Sequence, residues 1–272
     1  MKISQLHFLT ILIAFISCSG ANNESNTKET TAPEFENKAH ELVYDFHQKV
    51  GTLSQLREKK DVVYKYSYKT ADGREDVSIE KYLFDGELSY AKYVKHERSF
   101  PDLEGDIEQA YDGKGYWFKH NGALVQDSAI LERVKFTRHT NYYWFAMFQK
   151  LLDPGVQYNY IGNDTIDAKI YDIVKIGFDA PEGVAKDIYQ LYINKETGLV
   201  DQFLFTVADY GVLETPFLME LKYEDVDGIL IPSKRRYKKS NWHAELEDGP
   251  WVDVNWFDIR FNNGLARGEF SI

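Results

Sequence analysis

The chain is predicted to form an α+β domain, in which one antiparallel sheet of about eleven strands is preceded by a helix and interrupted midway by helices. Three observations predict this. Tyrosine-rich segments alternate apolar and polar residues and are punctuated by Asp-Gly and Asn-Gly pairs, the turn chemistry of antiparallel hairpins. Ahead of them, Phe35, Ala39, Leu42, Val43, Phe46 and Val50 fall at helical spacing. In the middle, residues 141–148 are almost wholly apolar and belong on a buried or covering helix.

Composition sets the outer bounds. Of 272 residues, 43% are hydrophobic and 15% aromatic, enough for a large core. With 32 basic against 43 acidic side chains the net charge is -11, which excludes a groove for nucleic acid, whose binding needs a basic surface. The single cysteine excludes an internal disulfide framework.

In chain order, the helical stripe over residues 34–50 ends at Gly51, a residue suited to a helix C-terminus. Strands follow at 62–69, 77–84 and 88–94, the last two joined by Asp85-Gly86. Residues 109–119 are broken at Asp112-Gly113-Lys114-Gly115, and Asn121-Gly122 turns the chain toward Leu124. Helices are predicted at 128–135 and 140–152, the second capped by Thr140 and stopped at Asp153-Pro154-Gly155. Strands resume at 156–161, 168–176, 187–194, 200–208, 218–223, 229–240 and 252–261. No linker composition occurs past Pro33, so residues 34–272 read as a single domain.

The N-terminus has a different character. Lys2 precedes an apolar run at residues 6–16, whose eleven residues span about 16 Å as a helix, against ~30 Å for a bilayer core. A signal peptide over residues 1–17 is the expectation. Phe15-Ile16-Ser17-Cys18 resembles the lipobox of bacterial lipoproteins, with Phe15 in place of the usual leucine, a relaxed form familiar in Bacteroidetes. That resemblance implies cleavage after Ser17, acylation of Cys18 and attachment to a membrane through lipid. Residues 18–33, polar and rich in Asn, Ser and Thr, would be a flexible tether. Asp does not follow Cys18, so the best-known inner-membrane retention signal is missing and the outer membrane, facing the periplasm, is expected.

Farther along, Ile188-Tyr189-Gln190-Leu191-Tyr192-Ile193-Asn194 and residues 199–206 straddle Glu196-Thr197-Gly198, and Asp227-Gly228-Ile229-Leu230-Ile231-Pro232 opens the next strand. With the order helix, meander, helices, meander, these segments resemble the lipoprotein-localisation (LolA/LolB-like) superfamily, and more closely an uncharacterised Bacteroidetes lipoprotein branch of it. The likeness covers roughly residues 34–261 and rests on pattern and turn chemistry rather than a motif. It implies a curved sheet forming an incomplete β-barrel, lidded by helices over an apolar hollow. Carriers of that superfamily are soluble, whereas this chain has the signal for an anchor.

A curved sheet with one apolar face must cover it, and the mid-chain helices are the available cover. Trp144, Phe145, Met147 and Phe148 would then look into the hollow, with Tyr116 and Phe118 opposite, as a surface for an acyl chain or lipoprotein lipid. The alternative is that these side chains fill one another's space, leaving a dry core and a structural or interaction module of the cell envelope.

Catalytic patterns are not found. His40-Glu41-Leu42-Val43-Tyr44 begins like a zinc-protease helix but has Tyr44 where the second histidine is needed. His40 and His47 are expected as a surface pair on one helix face. Neither a nucleophile elbow nor a phosphate loop occurs. Asp225 and Asp227 read as a turn, and Glu245-Leu246-Glu247-Asp248 after His243 as a solvated loop. No cofactor, metal or enzymatic activity is expected. The basic run Lys234-Arg235-Arg236, with Lys238 and Lys239, would be split between two faces by strand alternation, and would discourage aggregation if the strand lay at an edge.

Overall fold

The computed structural model describes residues 33–272. The expected signal peptide, Cys18 and the expected tether up to residue 32 lie outside the described residues.

Helix α1, Lys38–Val50, starts where the Asn37 side chain accepts bonds from the Ala39 and His40 amides, at 2.8 and 3.0 Å. It stops at Gly51, whose φ of 96° and whose approach to Ile229 leave no room for a β-carbon. Ala39, Val43, Phe46 and Val50 form its buried stripe. His40 and His47 are not a surface pair. His47 is buried, its Nε2 3.1 Å from the Gln149 carbonyl, because it flanks Phe46 on the packed side. His40 stacks on Tyr158 at 4.7 Å. A short helix α2, Leu53–Glu58, follows through a capping box between Thr52 and Gln55. That Thr-x-x-Gln signal stands in the sequence but its helix is too short to show periodicity.

Among the described residues thirteen strands, two more than the expected eleven or so, form one antiparallel sheet. They are β1 (Asp61–Lys69), β2 (Glu75–Leu83), β3 (Leu88–His96), β4 (Ile107–Tyr111), β5 (Tyr116–His120), β6 (Ala123–Leu124), β7 (Val156–Ile166), β8 (Lys169–Phe178), β9 (Tyr189–Asn194), β10 (Val200–Val207), β11 (Val212–Val226), β12 (Ile229–Lys239) and β13 (Val252–Phe261). The order β6-β5-β4-β3-β2-β1-β13-β12-β11-β10-β9-β8-β7 makes two meanders joined where the first strand pairs with the last. The sheet is curved and unclosed, with β6 and β7 as its edges. Irregular registers within β1, β7, β10 and β11 bend it, since a bulge adds local twist.

Strand alternation assigns the faces. On β9, Tyr189, Leu191 and Ile193 join the inner cluster with α1, while Tyr192 joins an outer cluster beside Trp242 and Trp251. The acidic segment after His243 lies on this outer loop, with Glu245, Glu247 and Asp248 exposed. Strand β12 is not an edge: β11 and β13 flank it, so a role against edge-to-edge aggregation falls away. The split of its charges does hold. Lys234 and Arg236 face out, Arg236 pairing with Glu220 across β11 at 2.6 Å, and Arg235 faces in.

The C-terminal tail returns over the first meander, with Phe270 fully buried and its carbonyl accepting from Trp117 Nε1 at 2.7 Å. Buried Asp61 anchors the start of the tail by accepting from the amides of Asn263, Gly264 and Leu265, at 2.7, 2.9 and 3.0 Å. Asp61→Ala strands these donors and should destabilise the domain by roughly 1–3 kcal/mol. Urea unfolding measures the loss, and early proteolysis after residue 261 should accompany it.

Candidate functional site

Topology dictates where the lid lies. The segment between β6 and β7 connects the two edges of the sheet, so it must cross the opening. It does so as one helix, α3 (Ser128–Ala146), instead of the two expected, and residues 147–152 are turns. Asp127 caps its first turn through the Ile130 amide at 2.9 Å. Neither Gly nor Pro interrupts residues 135–140, and the Thr137 hydroxyl is satisfied within the helix by the Arg133 carbonyl at 2.8 Å. Thr140 is therefore a mid-helix residue, not a cap. Val134, Arg138, Tyr142, Phe145 and Ala146 make the inward stripe.

Arg138 on that stripe meets Glu80 of β2, with Nη1 donating at 2.6 Å and Nη2 at 3.2 Å; both side chains are 0% exposed. Glu80 also accepts from Ser78 Oγ at 2.7 Å and the Tyr82 hydroxyl at 3.1 Å, and Tyr82 shares a 2.8 Å bond with Tyr64. Every carboxylate lone pair is thus engaged, which lets an ion pair survive burial. Burial raises the Tyr82 and Tyr64 phenols well above their ordinary values, with the Glu80 charge adding to the effect.

The six aromatic and Met positions singled out above separate into a wall and a rim. Phe145 sits in an aromatic box, 5.2 Å from both Tyr64 and Trp256 and 5.7 Å from Tyr82. Met147 and Phe148 pack under α1, Phe148 meeting Phe46 edge-on at 5.0 Å. Phe118 lies against Phe100 at 5.0 Å in a third cluster. These four are buried. Trp144 is half-buried, edge-on to Phe205 at 5.6 Å, and touches both main clusters. Tyr116 is half-buried and stands beside open space.

That space is two clefts along the flank of α3, of about 570 and 580 Å³. The first runs from Glu87 and Ser89 past Tyr111 to Tyr142, Tyr143 and Lys150; the second from Arg133 and Phe136 to Asp209 and Tyr210. Tyr116 and His139 line both. Of the residues lining these clefts, the sequence analysis names Tyr116 as a site residue and not Arg138, His139, Tyr142 or Tyr143. A signal for Arg138 exists: a cation four residues from both Val134 and Tyr142 lies on their stripe. Among the described residues no group of three or more His, Cys, Asp or Glu could hold a metal ion, and no helix is long and apolar enough to cross a membrane.

Fold and site together define an open half-barrel with one helix laid across its concave face and clefts of mixed tyrosine and charged lining beside that helix. A family model described as a family of unknown function, DUF6503, matches residues 133–216, from within α3 into β11. No curated protein matches the chain. Solved structures do. A DUF1329 family protein from Desulfovibrio piger is similar over 86% of this chain and 98% of its own, with 16% identity and a TM-score of 0.50. A LolA superfamily protein from Nitrosomonas europaea covers 86% of this chain and 97% of its own, with 11% identity and a TM-score of 0.49. At these identities the likeness is one of fold.

Proposed function

We propose that the chain is a lipid-anchored envelope protein that shelters an apolar ligand, an acyl chain or the lipid of a lipoprotein, beside and beneath α3, without catalysing a reaction. The supporting observation is the pair of clefts meeting at Tyr116 and His139, each within the ~300–1,000 Å³ usual for ligand sites. Methylenes leaving water for such a surface gain about 0.8 kcal/mol each. Tyr116 would guide entry. Trp144, Phe145, Met147, Phe148 and Phe118 would receive the chain as α3 shifts. Anchoring through Cys18 would hold the protein at the outer membrane facing the periplasm, and a Bacteroidetes lipoprotein branch fits the relaxed lipobox.

The test uses 1,6-diphenylhexatriene, which fluoresces in apolar surroundings. Wild-type protein should enhance its emission saturably, and Tyr116→Glu and Trp144→Glu should each weaken binding roughly tenfold or more while leaving the circular dichroism spectrum unchanged. Absent enhancement, or variants that bind as wild type does, would overturn the reading. Burial of Phe118, Phe145, Met147 and Phe148 favours a second reading, a filled interaction module of an envelope complex. Mass spectrometry of lipid extracted with the protein from its native membrane separates the two, since a filled module carries none.

A further inference from the structure

Arg235 is a cation placed where a cation is hardest to keep. It points inward from β12, is 3% exposed, and lies at the seam between the two main apolar clusters, its guanidinium 3.9 Å over the Trp256 ring. Nε donates to the Pro232 carbonyl and Nη2 to the Trp144 carbonyl in the last turn of α3, both at 2.9 Å. Nη1 is buried with no hydrogen-bond partner. Among the described residues Arg235 forms no ion pair, in contrast to Arg138, which has Glu80. Its other neighbours are phenols, Tyr64, Tyr66, Tyr82 and Tyr223. Burial pulls its pKa down to about 10, against the opposing effect of Tyr223, so it is still positive at neutral pH.

A buried charge without a counter-charge is strongly disfavoured, and two neutral carbonyls compensate it only in part. Methionine would fill the same volume without that penalty. An anion is what this position lacks.

We propose that Arg235 receives an oxyanion carried on the end of the apolar ligand, so that the ligand is an amphiphile, a long acyl chain ending in a carboxylate or a phosphate. This rests on the reading of the lid region as a lipid site and specifies the class of lipid. Nη1 supplies the free donor, and Trp256 and the phenols give the charged group a polarisable, hydrogen-bonding surround. The chain would follow the aromatic seam away from it. A carboxylate competes with the Trp144 carbonyl on favourable terms, because charge-assisted hydrogen bonds are about twice as strong as neutral ones.

The experiment compares hexadecanoate, hexadecyl phosphate and hexadecanol by isothermal titration calorimetry, on wild type and on Arg235→Met. The expected result is that wild type binds at least one of the two anions roughly tenfold or more tighter than the alcohol. Whichever anion gains more identifies the source, a free fatty acid or a phospholipid. Arg235→Met should lose that preference and keep its affinity for hexadecanol. Equal binding of all three probes by wild type would overturn the role of Arg235 and leave the lipid site standing. Binding of none would overturn both. If Arg235→Met lowers stability while the preference for anions persists in its folded fraction, Arg235 is a structural tie to α3 and the proposal fails. Should the variant not fold, equal binding of the three probes by wild type still overturns the proposal.

Discussion

Arg138→Met should lower the free energy of unfolding by about 3–5 kcal/mol, read from urea denaturation at neutral pH. The loss arises less from the missing attraction than from what is left behind. Glu80 would keep its place under α3 with two neutral hydroxyl donors and no cation, and it is 0% exposed. Either the carboxylate takes up a proton or the lid gives way to water. The double variant Arg138→Met with Glu80→Leu should therefore regain most of the loss, because removing both charges removes the desolvation penalty with them. A double variant as unstable as the single one would show that the pair stabilises beyond its own burial. Lid opening offers a second readout: amide exchange over residues 134–142 should accelerate in Arg138→Met more than exchange in β12.

Phe145→Ala should cost about 3–5 kcal/mol, as large-to-small changes in a packed core do. Phe145 is 2% exposed and its ring touches Tyr64, Tyr82, Phe84, Trp256 and Phe261, drawn from β1, β2, the β2–β3 turn and β13. No single neighbour can move in without leaving another, so the void persists. Thermal or urea unfolding gives the loss. An apolar probe such as 1,6-diphenylhexatriene should gain a new binding mode in the void. A drop below 1 kcal/mol would mean that α3 collapses onto the sheet and that the box is softer than its packing implies.

Much of this architecture is legible in the chain, and the exceptions have physical causes. The meanders can be read because local chemistry fixes them: alternating Tyr and Val with Asp-Gly and Asn-Gly turns leaves few other pairings. The continuity of α3 cannot be read locally. Arg138 and Thr140 look like a polar break; spacing puts Arg138 on the stripe of Val134 and Tyr142, but only Glu80, fifty-eight positions earlier, lets a cation stay there. Arg235 is hidden in a similar way. Within Lys-Arg-Arg it reads as a solvated cation, and alternation gives it a face without saying which face is inside; that depends on β13 arriving beside β12. At the candidate site, the sequence singles out Tyr116 but not Tyr142 or Tyr143, and the other five residues it names line neither cleft. Tyr116 and Phe118 sit two apart on one strand, yet one borders a cleft and the other a closed cluster, a difference decided by how α3 lies across them.

The seam between β1 and β13 bears on how the molecule comes into being. Val62 is the partner of Phe261, so the two halves can be stitched only after nearly two hundred intervening residues have been delivered. Closing so long a loop is entropically late, and chains dominated by such distant pairings mature slowly. Each meander can form its own hairpins early, and the second has α1 and the end of α3 to cover its inner face, but the sheet is continuous only once the seam forms. A polypeptide wired this way completes its sheet only when its last long strand is free to find its first.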